Sequence, residues 1–353
     1  MSSSPRQTLE LPSSLLFWLS GALGDTLLAY PALGALRRWA PSCTITAVGR
    51  PSFLWFAERL GLVNRIEDVD GPLAGALLAG AAPRSFTPPQ CAVIYSAAYE
   101  QLASYLRTLA VPLLIGSPPR SADGRHQTRY LLDCLYPLGV DRRLLPSTLA
   151  ASSLPSPHGI DLGPADRPLV LLHPGAGARW KRWPQARYLA LAEALCREGV
   201  TVRWSYGPAD EDPRAALPAS IAGSAALLPP LDLHTFAAVL ARCGVVVTPD
   251  TGVAHLAALL DVPQVTLFGP TDPQRWRPVS RKAIILRASD RCGGDWQLLD
   301  PGPPGIPSLA LCRCRPFLPT ACRCLAALEM EPVLAACHTL LAQSERAPRP
   351  ADT

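Results

Sequence analysis

The stretch from Val245 to Pro270 constrains the fold of this chain more than any other. It begins with an apolar β-branched run at 245–247 and ends with a second apolar run at Gln264–Phe268, which predicts two buried strands. Between them, a Gly-containing turn at Thr248–Gly252 leads into a helix of small residues at Val253–Leu260. This order directs free backbone N–H groups and a helix dipole at one point, and such a point favours an anion, most often a phosphate.

Three polar side chains lie at the same predicted anion site, namely Asp250, Thr251 and His255. A hydroxyl and an imidazole can donate hydrogen bonds to a phosphate. We therefore expect the rest of the chain to bring a phosphate-bearing substrate to this turn.

The first half of the chain contains the same order of elements. An apolar strand at Ser14–Leu19 is followed by a Gly-rich turn that ends at Asp25, and then by a helix at Thr26–Trp39 in which Pro31 marks a kink or a restart. Asp25 has two interpretations: a helix N-cap, or a general base at the carboxyl end of a strand, where open α/β sheets bind ligands. From the residues alone, we favour the cap.

Short strands and helices alternate along most of the chain, which predicts α/β domains with parallel sheets covered on both faces. A length of 353 residues exceeds the usual size of one domain. The region 145–168 is dense in Pro and Ser and lacks periodicity, so it separates two predicted domains, 1–155 and 156–325. A final helix is predicted at 326–343.

The second domain begins with a strand at Leu169–Leu172 that leads into His173, Gly175 and Gly177. Glycines after a strand indicate close approach of the backbone to a ligand. Lys181 follows in the same loop, and the only other lysine of the chain is Lys282. A solvated surface charge is the usual interpretation of a lysine, but this place between a glycine turn and a helix favours phosphate pairing.

A further carboxylate, Glu211, follows the next predicted strand at Val200–Tyr206. A carboxylate in this place accepts hydrogen bonds from ribose hydroxyls in dinucleotide folds, although a helix cap explains it equally well.

Composition excludes several classes of function. The net charge is +5 and is carried almost wholly by arginine, which suits acidic substrates or an anionic membrane surface. Nucleic acid is a poor candidate because no basic run with interleaved aromatics is present. No uncharged span reaches 18 residues, so we expect no transmembrane helix and place the protein in the cytoplasm.

The 11 cysteines argue against disulfides as the main support of a cytoplasmic fold. Two C-x-C pairs, Cys312/Cys314 and Cys322/Cys324, raise the question of a zinc site. Their spacing is tighter than the usual ribbon pattern and has no matched second half, so buried or idle thiols are favoured and no metal ligand is assigned.

Four segments, taken together, resemble the family 9 glycosyltransferases, whose best-known members are the ADP-heptose:lipopolysaccharide heptosyltransferases. They are the Gly24-Asp25 turn with PALGALRR behind it, HPGAGARWKRWP (173–184), TPDTGVAHLAA (248–258) and VTLFGPTDPQRW (265–276). Their order and spacing agree with the family over residues 14–343.

This resemblance implies a GT-B architecture: two Rossmann-like domains face each other across a cleft, and the final helix packs back on the first domain. It also implies an inverting, metal-independent transfer of a sugar from a nucleotide diphosphate to a hydroxyl. Heptose from ADP-heptose is the expected donor, and the lipopolysaccharide core or another surface glycan is the expected acceptor.

Residue roles follow from the matching motifs. Asp25 becomes the catalytic base, which reverses the preference for a cap, and Lys181 pairs with the departing diphosphate. Glu211 holds the ribose. By the same resemblance, the donor-binding residues are Gly24, His173, Gly175, Gly177, Glu211, Asp250, Thr251, Gly252 and His255.

The expected partners are a nucleotide-sugar donor and a glycan or lipid-linked glycan acceptor, without metal, other cofactor or nucleic acid. We expect a monomer in peripheral contact with the inner face of the inner membrane. Two alternatives stay open: a GT-B sugar-nucleotide epimerase, which needs no acceptor, and a non-catalytic nucleotide-sugar-binding or envelope-assembly protein, which needs no base. An NAD-dependent oxidoreductase is set aside because GALGD lacks the three-glycine spacing of dinucleotide folds.

Overall fold

A computed structural model describes residues 11–121, 124–207, 217–218, 226–287 and 323–345. The chain divides into two compact units. The described residues within Met1–Gly21, Ala29–Ser121 and Thr128–Ser147 form the first, and those within Ala22–Leu28, Ala122–Gln127 and Thr148–Thr353 form the second. The last change of unit falls inside the Pro/Ser-rich region, while the domain limit at 155 stays a prediction.

The first sheet is parallel throughout. Its strands are β1 (Ser14–Leu19), β2 (Thr44–Gly49), β3 (Arg65–Asp68), β4 (Cys91–Tyr95) and β5 (Leu113–Ser117). They lie in the order β3-β2-β1-β4-β5. The central strands β1 and β4 are continuous apolar runs whose residues are buried on both faces, as expected for a parallel sheet.

Six helices lie within the same part of the chain: α1 (Leu23–Leu28), α2 (Tyr30–Trp39), α3 (Pro51–Arg59), α4 (Pro72–Leu78), α5 (Tyr99–Thr108) and α6 (Gln127–Asp133). The single helix predicted at 26–39 is two helices. Pro31 lies in the first turn of α2, where its missing N–H costs nothing, so the restart interpretation is the correct one. Contacts place α1 in the second unit although the strand before it belongs to the first.

The second sheet is also parallel. Its strands are β6 (Leu169–Leu172), β7 (Thr201–Trp204), β8 (Val245–Pro249), β9 (Gln264–Phe268) and β10 (Ala283–Arg287). They lie in the order β10-β9-β8-β6-β7. The direction of strand order reverses between β6 and β8, and ligands of doubly wound sheets bind at the carboxyl ends of such a pair.

The helices of this unit are α7 (Gln185–Arg197), α8 (Leu233–Leu240), α9 (Gly252–Leu259), α10 (Pro273–Trp276), α11 (Arg323–Ala326) and α12 (Met330–Glu345). Strands β8 and β9 are fully buried, as the sequence predicts. Within the described ranges, no helix combines the length and hydropathy that crossing a bilayer requires.

The final helix, α12, packs against α7 and the strands β8 to β10 of the second unit. The turn before it is held by the indole Nε1 of Trp183, which donates to the Leu328 carbonyl at 2.8 Å, and by an ion pair between Arg187 and Glu329. Apolar residues on this helix, such as Val333 and Cys337, complete the core of the second sheet. Its predicted packing on the first domain stays a prediction.

Candidate active site

The first turn of α9 is capped by a neutral side chain. Thr251 is the N-cap residue, and its hydroxyl accepts a hydrogen bond from the Val253 N–H at 3.2 Å. The hydroxyl of Thr248 lies 3.3 Å from the same oxygen. The cap therefore orders the turn without placing a negative charge at the positive end of the helix dipole.

A partly buried ion pair lies next to this cap. Asp250 follows β8, and its Oδ2 atom accepts from Lys181 Nζ and from the Thr271 hydroxyl, each at 2.7 Å. The side chain of Asp250 is 7% exposed and that of Lys181 is 24% exposed. The pair places the ammonium group of Lys181 beside the turn that precedes α9.

Two glycines allow α1 to dock closely on α9. A Cβ atom added to Gly252 would lie 2.9 Å from Leu23 Cβ, and one added to Gly24 would lie 3.0 Å from His255 Cδ2. Real Cβ atoms rarely approach other atoms so closely, so neither position accepts a larger residue without a shift. The docking brings Asp25 beside the first turn of α9.

Asp25 is the third residue of α1 and not its N-cap. Its Oδ2 atom accepts from the backbone N–H of Ala22, the residue before the helix, at 3.2 Å. This is the reciprocal half of a capping box, in which an acid in the first turn reaches back to the N-cap. Because a carboxylate accepts several hydrogen bonds, this cap leaves Asp25 able to act as a base.

His255 is buried between the two turns. Its pKa is lowered from 6.5 to about 4, chiefly by burial; Asp250 and Asp25 act to raise the pKa, and His126 and Lys181 act to lower it. The imidazole is therefore neutral near pH 7, so His255 can offer a hydrogen bond but no charge.

His173 is fixed in the loop after β6. Its Nδ1 atom lies 3.0 Å from the Ser205 hydroxyl, and its backbone N–H donates to the Val247 carbonyl at 2.9 Å. Gly175 is buried and Gly177 is exposed, and a Cβ added to Gly177 would meet no atom within 4 Å.

Several residues named from the sequence lie outside the described residues, among them Glu211, Cys312, Cys314 and Cys322. Cys324 lies in α11, but its side chain is likewise not described. Among the side chains that the structure does describe, no group of three or more His, Cys, Asp or Glu could hold a metal ion.

The structure adds three polar residues that the sequence did not single out. Thr271 binds Asp250, Ser205 binds His173, and His126 lies near enough to His255 to affect its charge. Thr271 follows β9 within the VTLFGPTDPQRW motif, and this position was the only feature of the sequence that could have identified it as a site residue. His126 is held by a 3.0 Å contact between its Nε2 atom and the Arg277 carbonyl.

Each of the two units contains one parallel doubly wound sheet. Together with the likeness to the solved heptosyltransferases given below, this confirms the predicted fold class, an α/β protein of GT-B architecture. The family model "Glycosyltransferase family 9 (heptosyltransferase)" matches residues 137–300. Lipopolysaccharide heptosyltransferase 1 of Pseudomonas aeruginosa is 34% identical over 262 residues, or 73% of this chain and 69% of the relative. This chain belongs to glycosyltransferase family 9.

Solved structures of other proteins support the same fold. The Escherichia coli ADP-heptose lipopolysaccharide heptosyltransferase II matches 94% of this chain and 99% of its own, with a TM-score of 0.68 and 19% identity. The dodecameric iron-containing heptosyltransferase TibC from enterotoxigenic E. coli, solved with ADP-D-β-D-heptose, matches 95% of this chain and 78% of its own. Its TM-score is 0.57 and its identity 15%.

Proposed function

We propose that this glycosyltransferase transfers heptose from ADP-heptose to a hydroxyl of the lipopolysaccharide core or of another surface glycan, with inversion and without a metal ion. The observation that carries the proposal is the docking of α1 on α9. It brings a carboxylate (Asp25) beside a neutrally capped helix N-terminus, where Asp250 holds the half-buried Lys181. The names of the relatives support the donor and the acceptor.

On the donor side, the leaving diphosphate needs positive charge as the glycosidic bond breaks. The ammonium of Lys181 and the dipole of α9 supply it, and the two are preorganised by Asp250 and Thr251. Gly252 and His255 complete the same turn. The loop after β6, with His173, Gly175 and Gly177, and the motif residue Gly24 provide further donor contacts, and Glu211 binds the ribose.

On the acceptor side, Asp25 removes the proton of the attacking hydroxyl. The oxygen forms a bond to the anomeric carbon on the face opposite the diphosphate, and the bond to the diphosphate breaks with its electron pair leaving on ADP. The proton stays on Asp25 until it passes to solvent. Attack on the opposite face inverts the anomeric centre.

The charge supplied by Lys181 and α9 takes the place of a metal ion in this mechanism. Because TibC is described as iron-containing, the test below includes a chelator. We further propose that the enzyme works as a monomer in the cytoplasm. A lipid-linked acceptor would bring it into peripheral contact with the inner face of the inner membrane.

The test is calorimetric titration of ADP, UDP and GDP into the wild type and into two lysine variants, with and without EDTA. Lys282→Ala is the matched control, because Lys282 also pairs with an aspartate, Asp261, at 2.7 Å but in an exposed pair. We expect selective binding of ADP that EDTA leaves unchanged. Lys181→Ala should weaken it about 10- to 100-fold, the size of one hydrogen bond between charged groups, and Lys282→Ala should not.

Turnover of ADP-heptose with a core-glycan acceptor, and none without acceptor, then separates the transferase from an epimerase and from a binding protein. Selective binding of UDP or GDP would overturn ADP-heptose as donor. Equal ADP affinity in the wild type and Lys181→Ala would overturn the donor site.

A further inference from the structure

The carboxylate of Asp250 is held from two sides through a single oxygen. Lys181 Nζ and the Thr271 hydroxyl both donate to Oδ2 at 2.7 Å. Thr271 is 6% exposed and Asp250 is 7% exposed, so water has little access to this oxygen. Each donor therefore matters, because a buried carboxylate that loses a partner is costly.

The three residues come from three separate segments. Lys181 ends the short helical turn Arg179–Lys181, Asp250 follows β8, and Thr271 follows β9. Strands β8 and β9 are hydrogen-bonded neighbours in a fixed register. The sheet supports Asp250 directly, because its backbone N–H donates to the Leu267 carbonyl of β9 at 3.2 Å. Thr271 lies three residues beyond β9, and Lys181 lies in the loop after β6.

We propose that Thr271 is a positioning residue that orients the Asp250 carboxylate and, through it, holds Lys181 at the first turn of α9. This inference rests on the proposed role of Lys181 in binding the donor diphosphate. The hydrogen bond from the Thr271 hydroxyl keeps the Oδ2 atom of Asp250 oriented towards Lys181. When the diphosphate attracts the ammonium group, Thr271 still satisfies Oδ2 and keeps Asp250 in place.

The direct test removes the hydroxyl and then restores it. Thr271→Val keeps the β-branched shape and deletes the donor, and Thr271→Ser restores the donor on a smaller side chain. We expect ADP to bind about 10-fold more weakly to Thr271→Val, the size of one hydrogen bond to a charged group, and Thr271→Ser to recover most of this loss. The KM for the nucleotide sugar should rise in parallel, with a smaller change in kcat.

Thr266→Val is the matched control for a purely structural effect. Thr266 is fully buried in β9, and its hydroxyl donates to Gln264 Oε1 at 3.0 Å, away from Asp250. Thermal unfolding should reveal a similar loss of stability in both valine variants, whereas only Thr271→Val should lose ADP affinity. Thr271→Ala provides the same test if the valine variant does not fold.

A double variant shows whether Thr271 acts through the lysine. In a Lys181→Ala background, Thr271→Val should weaken ADP binding no further, because the residue that it positions is gone. The inference would be overturned if the fold-losses of ADP affinity from Lys181→Ala and Thr271→Val multiplied in the double variant. It would also be overturned if Thr271→Val bound ADP as tightly as the wild type, or if Thr271→Ser did not recover ADP affinity. If Lys181→Ala alone leaves ADP affinity unchanged, the proposed function itself fails.

Discussion

Two turns of this molecule have the same local structure and different charges. The turn before α1 and the turn before α9 each follow a buried strand and open a helix that has a glycine among its first two residues. At α1, the carboxylate of Asp25 accepts from the N-cap N–H. At α9, the hydroxyl of Thr251 performs the capping.

This difference decides what each turn can do. A carboxylate in the first turn places the helix's own negative charge at the positive end of the dipole, so the N-terminus of α1 is a poor site for an external anion. A neutral cap keeps the N-terminus of α9 available for phosphate. The same supersecondary structure thus carries a carboxylate at one turn and a neutral cap at the other, and the proposed function uses the first as the base and the second as the phosphate site.

The largest expected effect comes from removing the carboxylate of Asp25 at the first turn of α1. Asp25→Asn keeps an oxygen that can accept from Ala22 but removes the base, so the rate of sugar transfer should fall about 10²- to 10⁴-fold while ADP affinity stays unchanged. Steady-state kinetics and calorimetry measure the two quantities. Asp232→Asn is the control, because Asp232 also caps a helix, α8, away from this turn. Loss of ADP binding in Asp25→Asn would contradict the division of roles.

The next effect tests the docking of the two turns. Gly252→Ala places a methyl group against Leu23, and we expect the free energy of unfolding to fall by about 1–3 kcal/mol. Gly75→Ala in α4 is the control, since a Cβ there meets no atom within 4 Å and alanine favours a helix. Chemical denaturation measures both, and equal stability in the two variants would show that the contact is not tight.

A third effect, of similar size, comes from His255, which lies between the turns. Its pKa is lowered from 6.5 to about 4 in the folded protein, so the unfolded chain binds more protons between these values. The stabilisation by neutral His255 is fully present above about pH 6.5 and is lost as the pH falls towards about 4.

We expect the titration of His255 to lower the free energy of unfolding by about 2 kcal/mol between pH 7.5 and pH 5. Urea unfolding at both pH values measures this loss, with His255→Gln as the variant that removes the titrating group. Burial also lowers the pKa of His126, and the comparison with His255→Gln separates the two histidines. A wild-type pH dependence that matches that of His255→Gln would contradict the burial of a neutral imidazole.

Much of the fold follows from local patterns. The bounds of β1, β6 and β9 agree with the sequence prediction because each is an apolar run between clear turn signals. The sequence analysis missed α5, whose segment carries Tyr, Glu and Gln among its apolar residues. It also missed the edge strand β10, in which every residue is only half-buried.

The site was predictable only in part. Strand–glycine–helix patterns identified both turns, since free N–H groups at a helix start are a local property. The docking of Gly24 on His255 joins residues more than two hundred positions apart, and the bond from Thr271 to Asp250 depends on the register of β8 and β9. No local pattern encodes such contacts.

The most direct test of the central claim replaces the neutral cap of α9 with a charged one and compares it with a neutral replacement. Asparagine and aspartate cap helices equally well, so Thr251→Asn and Thr251→Asp should fold alike and differ only in charge at the first turn of α9. Calorimetry should show that ADP binds at least about 10-fold more weakly to Thr251→Asp than to Thr251→Asn, since like charges repel in a partly buried site. Equal ADP affinities in the two variants would contradict the assignment of this turn as the phosphate site.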